Sequence, residues 1–88
     1  MPEGMGHRSY HEVKLTKDLR SKERTDDLVT FINKHIKEYK GETKEGYPVP
    51  IMLFEEPDHA HAFANELSKH LDIPREHITV KPHKIESQ

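Results

Sequence analysis

Cysteine and tryptophan are absent from the 88 residues. Without thiols there is no disulfide framework, no thiolate metal site and no cysteine nucleophile. Glycine is sparse, at four residues, and neither of the predicted strand-to-helix loops contains one, which excludes a Gly-rich phosphate cradle of the P-loop or dinucleotide kind. No apolar run is long enough to cross a bilayer, and the N-terminus lacks the apolar core of a secretion signal. No acidic series has the spacing of a calcium loop. Ser9, Ser21, Ser68 and Ser87 do not stand in a nucleophile-elbow context. Nor does one sign of charge dominate: 14 basic against 16 acidic residues leave a formal charge of −2, so nothing general draws the chain to nucleic acid or to a membrane. These absences predict a soluble, cytoplasmic protein without a cofactor.

What is present suits one small core. Apolar residues make up 32% of the chain and charged ones 34%, yet the apolar residues are clustered and periodic, unlike those of a disordered chain. Flexible tails are expected at 1–9 and 83–88, around a single α/β domain at 10–82. Histidine is abundant: protonating all eight would carry the formal charge from −2 to +6, so the charge responds strongly to pH near ~6.

Tyr10 to Leu15 alternates as a half-buried strand requires, with Val13 and Leu15 inward. The charged stretch Thr16 to Arg24 reads as a loop. Thr25 is a plausible N-cap, with Asp26 and Asp27 suited to the positive end of a helix that carries Leu28, Val29, Ile32, Ile36 and Tyr39 at helical spacing. Gly41 offers a left-handed cap to stop it. Pro48 and Pro50 lead into a strand, Ile51-Met52-Leu53-Phe54, apolar on both faces and in need of cover on each. Glu55-Glu56-Pro57-Asp58 signals a helix start, and Ala60, Phe63, Ala64, Leu67 and Leu71 form its apolar stripe. Pro74 ends that helix, and a last strand runs from Ile78 until Pro82.

This β-α-β-α-β order predicts an α/β or α+β two-layer sandwich, a three- to four-stranded sheet with two helices on one face. Parallel crossovers are one reading. The alternative is the ferredoxin-like plait, an antiparallel sheet that requires an additional short strand within Gly41 to Tyr47.

Several groupings bear on chemistry. His59 and His61 lie two apart, so on a helix their rings leave on opposite flanks. Glu66 and His70, four apart, share a flank and could offer two zinc ligands, an ion pair, or only a solvated surface. His77-Ile78-Thr79-Val80 resembles the His-x-Thr/Ser strand motif of the two-histidine phosphoesterases; that resemblance implies histidine as general acid or base and the hydroxyl as phosphate holder, with His11-Glu12-Val13-Lys14 as a degenerate second copy. Leu67 to Val80 is similar to the helix-to-strand passage of the tautomerase family, which uses an amino-terminal proline, a role that would fall to Pro2. Lys14, Lys17, Arg20, Lys22 and Arg24 form a basic cluster that could contact phosphates or merely be solvated.

The expectation is therefore a small non-catalytic protein-binding or regulatory module. Its partner would be another protein or itself, the two-sided strand arguing for a homodimer. An RNA- or DNA-binding module using the basic cluster is the alternative, and a small hydrolase or tautomerase-like enzyme the third.

Overall fold

The computed structural model describes residues 7–16 and 19–86. The chain runs β1 (His7–Leu15), α1 (Lys22–His35), β2 (Gly41–Lys44), β3 (Ile51–Phe54), α2 (Pro57–Leu71) and β4 (Ile78–Glu86), with short 3-10 turns at Ile36–Tyr39 and Arg75–His77. The four strands form one sheet in the order β2-β3-β1-β4, every pairing antiparallel. This is the arrangement of the ferredoxin-like plait. The parallel-crossover reading is overturned by β2, which inserts the reversal the plait needs. The additional strand that the plait requires within Gly41 to Tyr47 is this one, although its burial does not alternate.

Both helices cover one face. Val13 of β1, Met52 and Phe54 of β3 and Ile78 of β4 meet Leu28, Ile32 and Ile36 from the first helical segment and Ala60, Phe63, Ala64, Leu67 and Leu71 from α2. The apolar stripe of α2 is buried as its spacing predicts, and its two alanines allow close approach to the sheet. Phe63 touches Phe54, ring centroids 5.4 Å apart, and takes the edge of Tyr39 at 5.3 Å.

Four local expectations need correction. First, α1 begins one turn before Thr25: Ser21 is the N-cap, its hydroxyl accepting from Arg24 N–H at 3.3 Å, and Thr25 N–H donates to Ser21 C=O at 3.0 Å. Serine caps better than threonine, and Glu23 then falls in the first turn. Second, the left-handed cap is Lys40 (φ 59°) and not Gly41. Gly41 serves close packing instead, because a Cβ there would lie 2.4 Å from Phe54 Cε2 and 2.8 Å from Ile36 Cγ1. Third, β1 begins at His7 and β4 runs to Glu86, so both strands extend into segments expected to be tails. The remaining tail residues, 1–6 and 87–88, lie outside the described residues.

The fourth concerns Pro82, which does not end β4. Thr16 N–H donates to His77 C=O at 2.8 Å, and ladder bonds alternate along an antiparallel pair. Pro82, opposite His11, therefore sits at a position without ladder bonds, and its missing N–H falls on the outer edge of the sheet. It costs the ladder nothing and blunts that edge.

Candidate functional site

The sheet opens near one end. β1 and β3 pair only from His11–Phe54 to Val13–Met52. Two residues further, register would set Leu15 against Pro50, but proline has no N–H, and no hydrogen bond joins the two main chains. The strands part, leaving a cleft of about 630 Å³ between the end of β1 and the segment 46–50. Leu15, Leu19, Val49, Pro50 and Ile51 line it with Thr16 and Thr25, and Tyr47 stands at its border with 97% of its surface exposed. Strand alternation gives the two sides of the gap different chemistry. Leu15 lies on the helix side with Val13, whereas Lys14 and Glu12 belong to the opposite face. Glu12 is engaged there by His83, Oε1 to Nδ1 3.3 Å. Among the described residues Lys14 has no ion-pair partner.

Two members of the basic cluster are engaged within the fold. Lys22 pairs with Asp26 at 3.3 Å, and Arg24 donates to Leu71 C=O at 2.9 Å, closing the C-terminal end of α2. Arg20 adopts a left-handed φ of 61°. Lys17 lies outside the described residues, as does Pro2.

The candidate histidines disperse. His70 and Glu66 turn to different partners: His70 Nε2 meets Asp27 Oδ2 of α1 at 2.6 Å, and Glu66 meets Lys69 at 3.8 Å. His61 Nδ1 lies 3.2 Å from the Arg75 guanidinium, whereas His59 borders a separate hollow with Lys40, Glu55, Glu56 and Asp58. Among the described residues no group of three or more histidine and acidic side chains has the geometry to hold a metal ion. The Thr79 hydroxyl donates to Lys14 C=O at 3.3 Å, and the His77 carbonyl accepts from both Thr16 N–H and its hydroxyl. His11 belongs to the helix side of the sheet, sharing it with Phe54, and Thr79 to the other, sharing it with Lys14. The two histidine motifs are thus divided by the sheet instead of facing one another across a site.

The contacts between the two helices gave no sequence signal because their partners are far apart in the chain. α1 and α2 run antiparallel, joined by Arg24 to Leu71, Asp27 to His70, and the His70 ring stacked on Phe31 with centroids 4.2 Å apart. Arg75 is shared among three acceptors, Asn65 Oδ1 at 2.7 Å, His61 Nδ1 and Ile78 C=O. The bond to Ile78 occupies a carbonyl on the outer edge of β4, a second protection beside Pro82. Burial, then the nearby carboxylates of Glu66 and Glu38, push the Tyr39 phenol above its ordinary value.

The fold and the cleft define a small α+β plait domain whose candidate site is a gap in its own sheet. No family model, curated protein or solved structure matches the chain. No helix among the described residues is long and apolar enough to cross a membrane.

Proposed function

We propose that this domain is a non-catalytic protein-binding module that engages its partner through the cleft between β1 and residues 46–50. The supporting observation is the cleft itself: about 630 Å³ with aliphatic walls, bordered by a tyrosine that is 97% exposed. Tyrosine beside an apolar hollow supplies large contact area at low entropic cost, as interface anchors do. The case for self-association is weaker than the two-sided run Ile51 to Phe54 suggests. Leu53, on the face away from the helices, is already 0% exposed within one chain, so the reading favours a partner of different sequence.

Selection of binders to the full chain from a displayed random-peptide library, followed by titration of the ¹⁵N-labelled protein, tests this reading. Binders are expected to shift amides of residues 14–16, 19, 46, 47, 49, 51 and 52. They should lose about tenfold or more in affinity with Tyr47→Ala, the loss of an anchor side chain. A library that yields no binder, or binders that shift only residues remote from the cleft, would remove it.

A further inference from the structure

Two kinds of group line the gap, and together they specify what could fill it. In a strand the N–H and C=O of one residue point the same way, and successive residues point opposite ways. The Thr16 to His77 bond fixes the even-numbered groups of β1 toward β4, and Thr79 Oγ1 on Lys14 C=O agrees. The odd-numbered groups face β3. His11 and Val13 find ladder partners there in Phe54 and Met52, but Leu15 faces Pro50 across the cleft. No described residue bonds the Leu15 main chain on that side. The gap thus presents a donor and an acceptor on a half-buried strand, in a hollow with aliphatic walls. The side chains supply the rest: Leu15 and Leu19 on the helix side, and Lys14, without an ion-pair partner among the described residues, on the other.

We infer that the cleft takes an extended segment of a partner protein, paired through its main chain with Leu15, with apolar side chains toward Leu15 and Leu19 and acidic ones toward Lys14. The inference rests on the protein-binding reading and adds the partner's chemistry to it. Strand addition is an established mode of peptide recognition, in which main-chain bonds give affinity and alternate side chains give specificity. The outer edges are poorer hosts. On β4 the Ile78 carbonyl is taken by Arg75 and Pro82 has no N–H to offer. β2 is four residues long, and Glu42, Thr43 and Lys44 are exposed.

The probe is an N-acetylated, C-amidated hexapeptide alternating leucine with aspartate, titrated into the ¹⁵N-labelled full chain. Three companions accompany it: singly N-methylated versions covering each backbone position, a version with lysine for aspartate, and the Lys14→Glu protein. Binding should move the Leu15 amide and slow its exchange with solvent. At least one N-methylation should weaken binding about fivefold or more, the loss of one main-chain hydrogen bond. Lys14→Glu should weaken the aspartate peptide and favour the lysine one. Cleft binding indifferent to every N-methylation would overturn main-chain pairing while leaving the protein-binding reading in place. Cleft binding indifferent to Lys14→Glu would overturn the acidic preference. Shifts at Gly41 and Thr43 would put the peptide on the β2 edge and overturn the site. Absence of any shift would overturn the inference as a whole; the library selection would then decide the broader reading.

Discussion

Replacing Gly41 with alanine should destabilise the fold, although alanine tolerates strand geometry better than glycine does. The added methyl would meet Phe54 Cε2 at 2.4 Å, Phe54 Cδ2 at 2.8 Å and Ile36 Cγ1 at 2.8 Å, against a favourable carbon–carbon separation of about 3.5–4.0 Å. Something must therefore retreat by roughly 1 Å. Neither neighbour is free to do so, since Phe54 and Ile36 are both buried and the Phe54 ring packs on Phe63. Overpacking of this kind costs about 1–3 kcal/mol. Alanine restores about 0.4–1 kcal/mol by restricting the unfolded chain. The net loss is centred on about 1.3 kcal/mol, equivalent to a melting temperature roughly 5–10 °C lower for a domain of this size. The adjacent position should respond with the opposite sign: Lys40 holds a φ of 59°, and Lys40→Gly should gain about 0.5–1 kcal/mol by relieving it. Urea titrations of both variants, followed by circular dichroism, read the two midpoints directly. A Gly41→Ala midpoint at or above that of the parent, with an unchanged slope, would refute the packing of Phe54 over Gly41.

Ser21→Ala should cost about 1 kcal/mol in the same titration, because Ser21 caps α1, whereas Thr25→Ala should cost clearly less; equal losses would return the helix start to Thr25. A double-mutant cycle on Asp27→Ala and His70→Ala should give a coupling of about 0.2–1 kcal/mol at neutral pH, modest because both groups are partly exposed. No coupling would mean that the 2.6 Å contact does not join the helices. Tyr39→Phe should change alkaline stability. The folded-state phenol lies above its ordinary value of 10.0, so the unfolded chain releases its proton first. The stabilising contribution is full below that value and lost as pH rises through the folded value. Melting temperatures at pH ~9 and ~11 should therefore fall less for the phenylalanine variant than for the parent, and parallel falls would contradict the shift at Tyr39.

The strongly periodic parts of the fold were legible in the sequence. Pro57 and the stripe from Ala60 to Leu71 gave α2 its limits and buried face, and the apolar run gave β3. What stayed open or escaped depended on partners rather than on local pattern. Gly41 to Lys44 carries no strand alternation and is held by pairing with β3. Pro82 looks like a stop until register shows that its nitrogen faces no neighbour. Ser21 and Thr25 are both competent caps, and sequence alone did not choose between them. At the candidate site, Leu15, Val49 and Pro50 were legible as apolar or strand-leading residues. Their convergence around a gap was not, because it follows from two strands diverging at a missing N–H. The histidines and the basic cluster drew notice by composition, yet most of their described contacts are with helix ends, main-chain groups and single side-chain partners.

The long ladder between β1 and β4 also determines how the domain bears load. His7 stands opposite Glu86 and Leu15 opposite Ile78, so the outer ends of both strands lie at the same end of the ladder. Force applied between residues 7 and 86 opens that ladder from one end, a pair at a time, instead of loading all its bonds in shear. Pulled this way in an optical trap, β1 and β4 should part at low force. The first barrier of consequence should come where separation reaches buried Tyr10, and a second at the Val13–Val80 pair, where both strands meet the core beneath the helices.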